Sequence, residues 1–212
     1  MTSTPSPGRP RGRLFVIAAP SGAGKTSLVK ALLALKPKLR LSISHTTRPK
    51  RATEEHGREY YFVTPPQFQE LIGQGQFLEH AQVFDNFYGT GRAPVEAQLA
   101  QGGDVILEID WQGARQVRRS LPEAITVFIL PPSRQALEER LRNRQTDSEE
   151  VIARRLRDAR GDMSHWKEFD YVVVNEDFNG ALADLARIVD GQAEDLRTPR
   201  PALQPLLADL LA

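Results

Sequence analysis

The sequence predicts an α/β protein built on a five-stranded, mostly parallel sheet with helices on both faces. Three observations carry that expectation. Short, continuously apolar runs recur along the chain, at "RLFVIAA" (13–19), "DVILEID" (104–110), "AITVFIL" (124–130) and "YVVVN" (171–175). Strands that read apolar throughout belong in the middle of a parallel sheet covered on both faces. Helical stripes alternate with them, as in "KTSLVKALLALK", where Leu28, Leu32 and Leu35 share one face. The bulk composition agrees: 212 residues, 40% hydrophobic and 26% charged, suffice to bury one core without disulfides or structural metal.

Residues 1–12, rich in Pro, Gly, Ser and Thr, read as a disordered arm. The first strand runs into a glycine loop and a helix, and "LRLSIS" is the second strand. Residues 45–63 are polar and rich in turns, ending in the strand-like "YYFV". Between 64 and 102 the sequence predicts a helix near "PPQFQELIGQ", an extended "FLEHAQV", a turn at "DNFYGTG" and a helix at "APVEAQLAQ", stopped by Gly102 and Gly103. The strand at 104–110 ends in carboxylates. The strand at 124–130 ends at Pro131 and Pro132. The helices "SRQALEERLRNR" and "QTDSEEVIARRLRDAR" follow, the second with Ser148 as its cap. The last strand leads into "GALADLARIVDG". A core of 13–44 and 92–191 thus carries an insertion at 45–91. The tail at 192–212 contains "PLLADLLA", a short leucine-rich helix expected to pack against the domain.

The net charge of +1 gives no global field toward nucleic acid or membrane. The chain has no cysteine, which removes disulfides, thiolate catalysis and cysteine-based metal sites. Its four histidines are scattered without metal-ligand spacing. No apolar run approaches membrane-spanning length. "LFVIAA" after the early arginines is too short for a signal peptide and runs straight into the glycine loop. A cytoplasmic location, without nucleic-acid or membrane partners, is expected.

"APSGAGKTS" (19–27) lies between the first strand and its helix, the context a phosphate-binding P-loop requires. Backbone N–H groups of Ala19, Pro20, Ser21, Gly22, Ala23 and Gly24, proline excepted, form the cradle, and the helix N-terminus adds positive potential. Lys25 reaches the β- and γ-phosphates, and the Thr26 hydroxyl is placed to ligate Mg²⁺. Ala19 stands where the pattern has its first glycine. The fold is therefore expected to be the three-layer P-loop type.

A second anion site is expected in "SISHTTRPKRATEEHGREYYF" (42–62). Arg48 and Arg51 can grip a phosphate bidentately, as Lys50 cannot. Tyr60 and Tyr88 offer neutral phenol donors.

With these residues in view the chain resembles the guanylate kinase family. The motifs "APSGAGKTS", "SISHTTRPKR", "EEHGREYYFV", "FLEHAQVFDNFYGT", "LEIDWQG", "FILPPS" and "VVVNED" occur in the family's order across about residues 12–191. The resemblance implies transfer of the γ-phosphoryl group of ATP to GMP with Mg²⁺, an inserted GMP-binding subdomain and a lid at about 142–150. It implies that Ser44 contacts guanine, that Glu79 and Thr90 read the base, and that Arg48, Arg51, Tyr60 and Tyr88 bind the GMP phosphate. The family often has Ser where this chain has Thr90; the hydroxyl is kept. Guanine offers N1–H and N2–H₂ side by side, which one carboxylate can accept, whereas adenine presents an acceptor at N1. Asp110 is implied near GMP and the metal, with Glu108 beside it. Asn175 is implied near the adenine of ATP. Arg140, Arg144 and Arg155 are implied as the cations that follow charge through the transition state; Arg154 is an alternative to Arg155. Other readings are a kinase of a sugar phosphate, a scaffold-type binding module and, least favoured, a nucleic-acid-binding ATPase. Lys25 and Thr26 argue against the scaffold module, and Glu79 with Thr90 argues for guanine.

Overall fold

The computed structural model describes residues 11–83, 85–143 and 149–212. The chain runs β1 (Leu14–Ala18), α1 (Lys25–Leu35), β2 (Arg40–Leu41), β3 (His45–Thr46), β4 (Tyr61–Phe62), α2 (Pro65–Gly73), β5 (Phe77–Val83), β6 (Asn86–Gly91), α3 (Arg92–Ala100) and β7 (Val105–Glu108). It continues through α4 (Trp111–Ser120), β8 (Ile125–Leu130), α5 (Arg134–Arg142), α6 (Glu149–Met163), β9 (Tyr171–Val174), α7 (Phe178–Asp190) and α8 (Gln204–Leu211).

Five strands form one sheet in the order β2-β7-β1-β8-β9. Every pairing in it is parallel, so no strand departs from the common direction. Successive side chains of a strand point to opposite faces, and the core divides accordingly. Phe15, Ile17, Ile106, Val127, Ile129 and Val173 pack on one face with residues of α1 and α7. Leu14, Val16, Leu107, Phe128, Leu130 and Val172 pack on the other with residues of α4, α5, α6 and α8. Both faces being dry is why these strands carry no polar alternation.

The insertion holds a four-stranded sheet of its own, ordered β4-β3-β6-β5. α2 enters it through a capping box in which Gln67 N–H donates to Thr64 Oγ1 and Thr64 N–H donates to Gln67 Oε1.

Three local expectations change. "LRLSIS" is not one strand: Arg40–Leu41 pairs with β7, and the chain then crosses to the second sheet as His45–Thr46. Its polar alternate residues suit an exposed edge rather than a buried run. "DNFYGTG" is a strand, β6, antiparallel to both β3 and β5; only Asp85 remains in the turn. Its glycines looked like turn residues, but Gly89 is there for space, since a Cβ would stand 3.0 Å from the rings of Phe68 and Phe77. The helix α4 was not anticipated from "WQGARQVRRS", because its buried face is only Gly113, Ala114 and Val117.

The segment after α7 packs as expected. Arg197 bridges antiparallel to Tyr171 at the free edge of β9, and Thr198 N–H donates to Asp170 O at 2.9 Å. Leu203, Leu207 and Leu210 of the tail are buried in the α4–α6 side of the core. No helix among the described residues is long and apolar enough to cross a membrane.

Candidate active site

The carboxyl ends of β1 and β7 open onto a cleft, the place where parallel α/β sheets bind ligands. The inner chamber, about 240 Å³, is lined on the core side by Pro20, Ser21, Gly22, Gly24, Lys25, Thr26, Glu108, Ile109 and Asp110. Ser44, Tyr60, Glu79, Ala81, Val83 and Tyr88 of the insertion line its other side. An outer chamber of about 700 Å³ shares Thr26, Tyr60, Val83, Tyr88 and Glu108 with it and adds Arg48, Arg51, Glu54, Arg154 and Arg155. Residues far apart in sequence thus meet in one place.

The P-loop is held by its own geometry and by one side chain. Gly22 and Gly24 have φ of 91° and 94°, a left-handed conformation that glycine adopts without steric cost. Asn175, buried at the end of β9, donates from Nδ2 to Ala23 O at 2.7 Å. A Cβ on Gly24 would lie 2.5 Å from that same nitrogen. Lys25 Nζ donates to Ile109 O at 2.7 Å, which aims the ammonium across the loop toward the end of β7. The Thr26 hydroxyl donates to Glu108 Oε1. A hydroxyl and a carboxylate therefore stand side by side next to the phosphate cradle.

At the opposite end of the inner chamber sits Glu79, 3% exposed. Thr90 faces it across the β5–β6 ladder and donates its hydroxyl to Glu79 Oε1 at 2.6 Å. Ser44 Oγ is 3.4 Å from the Thr90 oxygen. Burial pushes the Glu79 carboxyl up to about 7; the Thr90 hydrogen bond opposes the shift, and the Asp110 charge adds to it. Asp110 caps α4: its Oδ1 accepts from Gly113 N–H at 2.8 Å and its Oδ2 from Gln112 Nε2 at 3.0 Å.

Between the two ends lies the phenol and guanidinium group. Tyr60 and Tyr88 rings pack at 5.9 Å. Burial, then the Glu108 and Tyr88 charges, push the Tyr60 phenol up to about 12, so it stays a neutral donor. Arg48 Nη2 pairs with Glu54 Oε1 at 2.7 Å, and the guanidinium lies 5.6 Å from the Tyr60 ring centroid. The Arg48 hydrogen bond, opposed by burial, holds the Glu54 carboxyl below its usual range. Arg51 is 70% exposed and only 3.9 Å from the same carboxylate. Glu54 thus organises both arginines, and nothing in "RATEEHG" distinguishes it from Glu55.

A family model described as guanylate kinase matches residues 11–192. The chain belongs to the guanylate kinase family. It is 58% identical over 201 residues to the guanylate kinase of Methylococcus capsulatus, spanning 95% of this chain and 98% of that one. It is 55% identical over 200 residues to the guanylate kinase of Alkalilimnicola ehrlichii, spanning 94% and 98%. Among solved structures, guanylate kinase from Anaplasma phagocytophilum matches with a TM-score of 0.73 at 32% identity, over 94% of this chain and 95% of that one. This guanylate kinase family member is an enzyme, a nucleoside monophosphate kinase.

The expected site residues are distributed as follows. Pro20, Ser21, Gly22, Gly24, Lys25, Thr26, Ser44, Tyr60, Glu79, Tyr88 and Asp110 line the inner chamber, and Arg48, Arg51 and Arg155 the outer one. Arg154 lines the outer chamber too, with Nη2 3.6 Å from Asp85 Oδ1. Thr90 and Ala23 are buried behind the walls, and Ala19, the residue after β1, packs partly buried against the core. Arg140 lines neither chamber: its Nη2 donates to Asn175 O at 2.9 Å, and its Nη1 is buried with no hydrogen-bond partner among the described residues. Arg144, the Ser148 cap and most of the expected lid lie outside the described residues. The sequence did not single out Glu54, nor Gly113 of α4, whose N–H donates to Asp110.

Proposed function

We propose that this enzyme transfers the γ-phosphoryl group of ATP to GMP, giving ADP and GDP. The observation that carries the reading is Glu79: a buried carboxylate in no ion pair among the described residues, in the same small chamber as a P-loop lysine. Leaving a carboxylate there costs stability, and guanine repays it by presenting two adjacent N–H donors. Ser44 adds a hydroxyl to the base contact. A neutral carboxyl would suit adenine instead, so selectivity depends on Glu79 being ionised.

The purine at Glu79 directs its 5′-phosphate toward Tyr60, Tyr88, Arg48 and Arg51. Two phenols and two guanidiniums donate hydrogen bonds to a dianion without giving up their protons to it. The phosphate oxygen is already anionic, so no general base is needed. The P-loop backbone and Lys25 hold the triphosphate, and Lys25 exchanges its Ile109 carbonyl for phosphate oxygens. Transfer then needs the two oxygens brought into line and their repulsion offset, which is positioning and electrostatics. Arg155 lines the outer chamber where that charge passes. Arg140 stands before the expected lid; its Nη1 is buried with no hydrogen-bond partner among the described residues, and reaching a phosphate oxygen requires a movement that uncovers it.

Thr26 and Glu108 fit Mg²⁺: both supply hard oxygens, and Mg²⁺ takes only one or two protein oxygens when phosphates and waters complete its shell. No cluster of three or more acidic or His side chains suited to a metal exists among the described residues, in keeping with a metal shared with substrate. Bound there, the ion would neutralise phosphate charge.

An ADP-release assay tests the reading, with ATP and Mg²⁺ present and GMP, AMP, UMP or a ribose phosphate offered separately. Turnover with GMP well above the others is expected. Equal rates with AMP, or GMP-independent release, would overturn it.

A further inference from the structure

Glu79 sits on β5, an edge strand of the inserted sheet, yet its position is set from the core. In an antiparallel ladder, alternate residues turn N–H and C=O away from the partner strand. On β5 the outward-facing pair of interest belongs to His80, next to Glu79. The side chain of Gln116 meets both groups: His80 N–H donates to Gln116 Oε1 at 3.2 Å, and Gln116 Nε2 donates to His80 O at 2.7 Å. A primary amide has one acceptor and one donor side by side, so it substitutes for a missing strand at that residue. One turn earlier on α4, Gly113 N–H holds Asp110. A Cβ built on Gly113 would stand 2.4 Å from Glu79 Oε2, 3.0 Å from its carboxyl carbon and 3.2 Å from Ile109 Cδ1. The carboxylate therefore rests against bare helix backbone. Gly113 has an ordinary helical conformation, so its lack of a side chain serves space rather than backbone angle.

We propose that Gly113 and Gln116 are positioning residues for base recognition: Gln116 clasps the strand that carries Glu79, and Gly113 sets how far its carboxylate can retreat from the purine. The two residues lie on the helix that Asp110 caps, so one rigid element registers both carboxylates of the chamber. This rests on the proposed role of Glu79 in reading guanine.

Gly113→Ala is the sharper variant, because alanine is the better helix former and global unfolding is not the expected result. It should raise KM for GMP at least tenfold and lower the preference for GMP over AMP, with KM for ATP within twofold of the parent. Gln116→Leu, which keeps bulk and loses both hydrogen bonds, should act in the same direction. The deciding readout is a double-mutant cycle with Glu79→Gln, measured as kcat/KM for GMP and as GMP affinity by calorimetry. If Gly113 and Gln116 act through Glu79, adding either change to Glu79→Gln should cost less than threefold. Full additivity, or a parallel rise in KM for ATP, would overturn the proposal. A parent enzyme that neither binds nor phosphorylates GMP would instead overturn the proposed function.

Discussion

Replacing Glu79 by Gln should stabilise the free enzyme at alkaline pH while crippling its use of GMP. Burial lifts the carboxyl from 4.5 to about 7. Each tenfold in acidity is ~1.4 kcal/mol, so ionising this group in the folded chain costs roughly 3 kcal/mol more than in the unfolded one. The sign follows from the protons held. Between pH 4.5 and 7 the folded enzyme keeps the proton and the unfolded chain has lost it. Stability is therefore full below about pH 4.5, declines as pH rises to about 7, and is level above that. The amide cannot ionise, and its oxygen still accepts from Thr90. Urea melts of parent and Glu79→Gln should thus coincide near pH 4.5 and separate by up to roughly 3 kcal/mol at pH 8. In the same protein, two charge-assisted hydrogen bonds to guanine, each about 1.5–3 kcal/mol, are lost. That corresponds to about 10²–10⁴-fold in kcat/KM for GMP. Guanosine, which has no phosphate to titrate, should inhibit the parent more strongly as pH rises through 7 and the variant equally at all pH. A stability difference that does not grow with pH would refute the account of Glu79 as a carboxylate strained by burial.

Lys25→Met should lower kcat on the order of 10³-fold while GMP affinity, measured by calorimetry, stays near the parent's; near-normal kcat would contradict the P-loop role. Arg48→Ala and Arg51→Ala should each cost about 10–100-fold in kcat/KM for GMP, the value of a charge-assisted contact. Lys50→Ala should leave it within twofold, since among the described residues Lys50 reaches only the Glu54 carbonyl, at 3.1 Å; steady-state kinetics on the three variants decide. Asn175→Ala removes the support under Ala23 and should raise KM for ATP about tenfold with KM for GMP unchanged; a shift in GMP alone would show that the buried amide does not serve the P-loop.

The legible parts of the sequence were those where one physical demand fixes a residue type over a short span. A parallel strand buried on both faces must be apolar throughout, and four of the five central strands could be read off directly. The P-loop was legible because Gly22, Gly24, Lys25 and Thr26 are adjacent in the chain that forms it. Glu54 was not, because its choice over Glu55 depends on where Arg48 comes to lie. For Asn175 the resemblance implied a place near adenine; what the sequence did not show is that its amide also holds the loop backbone at Ala23, a contact across 152 positions of sequence. Gly113 and Gln116 escaped notice for the same reason: helix α4 has a thin apolar stripe, and their partners lie on a strand from another sheet.

The two margins of the central sheet also have a consequence for handling the enzyme. One is β2, two residues long and exposed, beginning with Arg40. The other is β9, along which Arg197 and Thr198 are already paired. Short, charged or covered edges deny an incoming chain a template. Four adjacent strands dominated by Val, Ile, Leu and Phe would otherwise invite end-to-end polymerisation, so the segment at 197–198 acts as a hem. Loosening it should show first as turbidity on standing, before any loss of turnover.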